Sequence, residues 1–159
     1  MRILPFLLLA IALVPACDRA PADSSMQVFV TVTQYDPSRD AAADLAAAIR
    51  EAARTHRRVL VEVGGTWCSW CRRLDGLFAR DAEIEAFRDR YYVTVKVNWS
   101  VENRNQEVLA KFPTIPGYPH LFVLTQDGTL LHSQDTAELE SGDGHDPVRV
   151  LAFLKRWAG

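Results

Sequence analysis

The feature that most constrains this chain is Gly64-Gly65-Thr66-Trp67-Cys68-Ser69-Trp70-Cys71, which runs on into Arg72-Arg73-Leu74-Asp75. An apolar run, Val59-Leu60-Val61-Glu62-Val63, precedes it, and a helix-compatible segment, Leu74 to Ala79, follows. That order predicts a buried strand, a glycine turn and a helix opening at the first cysteine. A thiol at that place faces the unpaired N–H groups and positive dipole end of the helix, which favours thiolate over thiol. A second thiol one helical turn on can close a small disulfide ring with it. These are the parts needed for dithiol–disulfide exchange.

Two blander readings compete for Cys68 and Cys71. As an inert disulfide the pair would stabilise little, because stabilisation grows with the length of loop closed. As half of a zinc site it would need two more ligands, and the histidines (56, 120, 132 and 145) show no ligand spacing. Three cysteines in the whole chain are too few for a disulfide-stapled scaffold or a four-cysteine metal site. A net charge of −2 with no long basic run excludes a polybasic nucleic-acid surface. The 159 residues, 48% hydrophobic, suit one domain with short appendages.

The N-terminal residues divide differently. Residues 1–16 read as an export signal, with Arg2 ahead of an apolar stretch from Ile3 to Val14 that is short for a membrane span. Leu13-Val14-Pro15-Ala16-Cys17 resembles a bacterial lipoprotein signal, so Cys17 is expected to carry the lipid anchor. Cleavage after Ala22 is the rival. Residues 17–26 read as a polar tether and 27–159 as the domain. Export suits disulfide chemistry, which belongs outside the reducing cytosol.

Within the domain, β-branched Gln27 to Thr33 predicts a strand, and alanine-rich Ala41 to Thr55 a helix. His56 lies at the C-terminal end of that helix and reads as a solvated cap. Further helices are expected over Asp81–Arg90 and Asn103–Phe112, and a strand over Tyr91–Val97. Leu121–Leu124 and Thr129–Leu131 flank Asp127-Gly128 as a hairpin. Glu140 to Asp146 reads as an acidic loop, and Asp146-Pro147 opens a last helix that buries Val150, Leu151, Leu154 and Trp157. Glu62 stands in an otherwise apolar strand, either buried with a raised pKa or turned to solvent. Trp67 and Trp70 bracket Cys68 and are expected to offer a flat apolar surface to an extended client.

The Trp-Cys-x-x-Cys motif and the order of elements around it, over roughly residues 41–159, resemble the thioredoxin superfamily. The Tyr-Asp-Pro lead-in, Trp67-Cys68-Ser69-Trp70-Cys71 and the Gly-Tyr-Pro-His-Leu-Phe-Val-Leu segment are similar to bacterial exported thioredoxin-like proteins. The resemblance implies an α/β fold, a central mixed sheet flanked by helices, here with an N-terminal strand–helix extension. It implies Cys68 as the attacking and Cys71 as the resolving cysteine. Glu62 takes the place of a buried aspartate that moves the second cysteine's proton, and Lys96 that of a lysine close to this acid. Pro119 takes the place of a cis-proline, and the Tyr118 backbone just before it is expected to pair with an extended client. Two departures stand out: Ser69-Trp70 replaces the Gly-Pro pair of thioredoxin proper, and glutamate replaces aspartate.

Together these expectations describe an exported, membrane-anchored and monomeric thiol–disulfide oxidoreductase. It acts on protein thiols and disulfides with a redox partner protein, and needs no metal or organic cofactor. A non-catalytic, redox-gated peptide-binding module of the same fold is the contrasting reading, and a metal chaperone the third.

Overall fold

The computed structural model describes residues 29–159. The expected export signal (1–16), the anchor at Cys17, the tether (17–26) and the first two residues of the domain lie outside the described residues. Four strands form the main sheet in the order β2-β1-β3-β4: β1 (Arg58–Gly64), β2 (Tyr92–Asn98), β3 (His120–Leu124) and β4 (Leu130–Asp135). The chain pairs β1 parallel with β2 and antiparallel with β3, so the sheet is mixed.

Strand β1 has buried neighbours along both edges and both faces, which is why it reads as a nearly unbroken apolar run. Its alternation separates two cores. Val59, Val61 and Val63 join Val93, Val95 and Val97 of β2 and Phe122 and Leu124 of β3 on one face. Helix α1 (Ala41–Thr55) closes that face with Ala41, Ala48 and Ala52, residues small enough to bring its backbone close to the sheet. Leu60, Leu121, Val123 and Tyr92 face the other way, under α2 (Ser69–Arg80), α3 (Ala82–Tyr91) and α5 (Pro147–Trp157). Glu62 is in register with Lys96, so the alternation that serves the core also sets an acid and a base side by side on the α2 face.

Aspartates start α1, α3 and α5. Asp40 accepts from Ala42 N and Ala43 N at 2.9 and 3.1 Å, and Asp81 and Asp146 cap α3 and α5 in the same way. His56 is exposed in a left-handed C-cap at φ 55°, the solvated end expected of it.

Four expectations are corrected. The β-branched run before Thr33 forms no regular strand among its described residues; it touches the sheet at one parallel bridge, Val32 with Val95. It lies along the open edge of β2, where only Lys96 N reaches back to Val32 O. The helix expected over Asn103–Phe112 shrinks to one turn, α4 (Gln106–Leu109), because Asn105 holds a left-handed φ of 45° and Pro113 follows. The acidic loop contains a small hairpin, β5 (Glu140–Ser141) and β6 (Gly144–His145). In α5, Phe153 is buried beside Val150 and Leu154, whereas Leu151 and Trp157 are only partly covered. The Asp127-Gly128 turn forms as expected, with Gly128 at φ 88°, a conformation that glycine adopts without strain.

Candidate functional site

Cys68 is the N-cap of α2, and its Sγ accepts the backbone N–H of Cys71 at 3.0 Å. The two cysteines form a disulfide with Cα atoms 5.3 Å apart. Their exposure is unequal: Cys68 keeps 4% of its surface and Cys71 none. An incoming thiolate therefore has access to Cys68 alone, and the helix end stabilises the negative charge that develops there.

Gly64 ends β1, and Gly65 leads into a turn at Thr66 and Trp67 that brings the chain to this helix. A Cβ at Gly64 would stand 2.5 Å from Cys71 Sγ and 2.8 Å from the Tyr35 hydroxyl. The sulfur and the phenol thus flank the same point, and only glycine leaves room for both. His120, the first residue of β3, pairs with Val63, and Pro119 just before it is joined to Tyr118 by a cis bond. Thr136 Oγ1 donates to the Pro119 carbonyl at 2.5 Å, and Tyr118 packs on the cluster of Tyr35, Cys68 and Cys71.

Beneath the cysteines lies a polar cluster in an otherwise apolar layer. Glu62 is fully buried, and its Oε1 accepts from Tyr35 Oη at 2.7 Å and from Lys96 Nζ at 3.5 Å. Lys96 also pairs with Asp75 of α2, whose side chain is 39% exposed, and its ammonium lies 4.5 Å from the Tyr35 ring centroid. Glu62 Oε2 has no partner among the described residues. Burial pushes the Glu62 carboxyl up from 4.5 to about 7, against the opposing pull of Lys96. Tyr35, pushed well above the ordinary phenol range by burial and by Glu62, stays a hydrogen-bond donor. The arrangement can hold or release one proton near neutrality, and Tyr35 joins it to the cluster that contains the buried sulfur.

The two tryptophans part company. Trp67 is 52% exposed; its indole donates to Trp99 O at 2.7 Å and meets the rings of Trp99 and Tyr118 edge-on at 5.8 and 5.7 Å. Trp99 stacks on Tyr118 at 4.9 Å, so the aromatic surface beside the disulfide is built from Trp67, Trp99 and Tyr118. Trp70 packs instead against His145, edge-on at 5.5 Å, beneath the Arg73 guanidinium. No site role was expected of Tyr35, Asp75, Trp99 or His145. For Asp75 the helical period offered a signal, since it falls one turn after Cys71. For the others it offered none.

The described residues contain no group of three or more His, Cys, Asp or Glu able to hold a metal ion, and no helix long and apolar enough to cross a membrane. The thioredoxin-like family model matches residues 40–126, more than half of the chain. The chain belongs to the thioredoxin-like family. The structure is similar to that of a disulphide isomerase from Xylella fastidiosa Temecula1, at 25% identity and TM-score 0.68, over 77% of this chain and 94% of that one. A DsbH oxidoreductase is similar in fold at 19% identity and TM-score 0.57, over 83% and 88% of the two chains. So is the C-terminal domain of Neisseria meningitidis DsbD in the oxidised form, at 16% identity and TM-score 0.51, over 77% and 97%. No curated protein matches the chain. This thioredoxin-like protein therefore carries the disulfide-oxidoreductase fold with its Cys-x-x-Cys pair in place.

Proposed function

We propose that this thioredoxin-like protein is an exported thiol–disulfide oxidoreductase that exchanges disulfides with protein clients through Cys68 and Cys71. The observation that carries the reading is the placing of the pair: one sulfur caps a helix and keeps a small opening, while the other is sealed one turn behind it.

In the reducing direction the Cys68 thiolate attacks one sulfur of a client disulfide. A Cys68–client bond forms, and the client's second sulfur leaves as a thiolate and takes a proton from solvent. Cys71 then loses its proton to the ionised Glu62 and attacks Cys68 Sγ. The second client thiol is released, and the Cys68–Cys71 disulfide holds the two electrons' worth of oxidation. A partner dithiol reduces it again, and the oxidising direction runs the same steps backwards.

Lys96 holds the Glu62 carboxylate in reach of ionisation, and Asp75 links Lys96 to solvent. Trp67 and Tyr118 offer apolar contact to an extended client, and the backbone at Tyr118–Pro119 pairs with it. Trp70 supports Cys68 from the side of His145. A lipid on Cys17 would hold the domain at a membrane on the extracytoplasmic side, with 17–26 as its tether, and the working unit is a monomer. The name of the Xylella fastidiosa protein supports disulfide chemistry on proteins as the activity class.

The decisive experiment expresses Cys71→Ala protein with its leader and separates the products under non-reducing conditions. Mixed disulfides through Cys68 are expected, lost on reduction and absent from a Cys68→Ala control. A Cys71→Ala protein that traps nothing, while Cys68→Ala still retains clients, would instead give the non-catalytic module.

A further inference from the structure

A groove of about 430 Å³ opens beside the disulfide, between α2 and the β5–β6 hairpin. Ser69, the residue after Cys68, stands at one end, and Arg72, Arg73 and Arg80 line it. Arg72, Gly76 and Arg80 follow one another at four-residue spacing on a single helix stripe. A Cβ at Gly76 would lie 2.8 Å from Arg80 Nη1, so the glycine lets that guanidinium fold flat onto the helix, back toward Arg72. Arg72 is held by Thr66 O at 2.8 Å, and Arg73 lies 4.5 Å from the Trp70 ring centroid. None of the three arginines is ion-paired among the described residues, and the single acid on the rim is Asp143.

His145 lines the same groove, is 8% exposed, and has no hydrogen-bond partner on either ring nitrogen among the described residues. Both nitrogens are sealed beneath the groove wall, and burial and the neighbouring Arg73 hold the imidazole below the ordinary histidine range. The charge that faces the groove is therefore that of the arginines, and three guanidinium forks suit a carboxylate.

We propose that this groove receives the acidic side chains of a client protein, aspartate or glutamate placed close in sequence to the cysteine that Cys68 attacks. The inference rests on the exchange reading above and gives its substrate a charge. At about 3.3 Å per extended residue, an acid roughly two to four residues from the client cysteine spans from Cys68 into the groove.

The test uses two peptides of matched length, each with one cysteine in disulfide linkage to a small neutral thiol. One carries glutamates flanking the cysteine, the other lysines. Each rate of reduction by the reduced protein is divided by the rate with dithiothreitol, which removes the peptides' own reactivity. At low salt the glutamate peptide is expected to react roughly tenfold faster, with the ratio collapsing toward one at about 0.5 M salt. The exposed Arg80→Glu change should cut the ratio at least threefold, reading a local charge rather than the net charge of the chain. Equal rates for both peptides at low salt overturn the groove while leaving the exchange reading intact. A ratio untouched by Arg80→Glu overturns it too. Failure to reduce either peptide overturns the exchange reading itself.

Discussion

The Tyr35 hydroxyl donates to Glu62 Oε1 at 2.7 Å, joining a loop ahead of the first helix to the buried acid of the central strand. The same phenol borders the space at Gly64 that Cys71 Sγ occupies from the other side. In the proposed exchange, proton transfer between the Cys71 sulfur and Glu62 would therefore take place under a tyrosine that belongs to neither strand nor cysteine helix.

Tyr35→Phe keeps the ring and removes that donor. Because the hydrogen bond favours the ionised carboxylate, its loss should raise the Glu62 pKa above about 7. The pH–rate profile of mixed-disulfide resolution should shift to higher pH, with a stability loss of about 1–2 kcal/mol in urea titration. An unmoved profile would make Tyr35 a packing residue only.

Glu62→Gln tests the acid itself through linkage. The folded carboxyl titrates at about 7 against an ordinary 4.5, so between those values the folded state holds the extra proton. Stability is then highest below about 4.5, falls as pH rises to about 7, and is level above. The whole fall is on the order of 3 kcal/mol. In Glu62→Gln this component of the pH dependence should vanish, and with it the neutral inflection in turnover. Denaturant midpoints measured from pH 4.5 to 8 supply the comparison.

The charged neighbours should move the same titration in opposite directions. Lys96 pulls the Glu62 pKa down and Asp75 pushes it up. Lys96→Met should raise it, keeping the acid protonated through neutral pH, and Asp75→Asn should lower it. Carboxyl chemical shifts of labelled glutamate, followed against pH, read both. Shifts of the same sign would contradict the geometry.

Gly64→Ala should destabilise the oxidised protein by about 1–3 kcal/mol, the range for overpacking a filled core. The new methyl meets a sulfur tied into a ring and a phenol tied to Glu62, and neither can swing away freely. Urea unfolding of the disulfide form measures the loss.

The elements readable in the chain were those whose residues answer to local rules. β1, α1 and the Asp127-Gly128 hairpin carry their own period or turn chemistry, and α2 is announced by the glycines before it. The run before Thr33 has strand residues but no second neighbour, so it makes one bridge instead of a ladder. β5 and β6, of two residues each, are too short to show alternation. At the site, Glu62 and Lys96 could be placed by position, but whether the acid faced core or water depended on α2 and Tyr35 covering it. Contacts between Tyr35 and Glu62, or Trp70 and His145, join distant positions, and no local pattern encodes them.

One bridge, at Val32, fastens the 29–34 segment to the sheet, and the family match starts only at residue 40. A protein trimmed to that match would retain both sulfurs, the central acid and the turn between them. It would shed the phenol at one end and β4, the β5–β6 hairpin and α5 at the other. Such a fragment would serve poorly as a stand-in for the whole, since its proton chemistry would be that of an acid with its lid taken off.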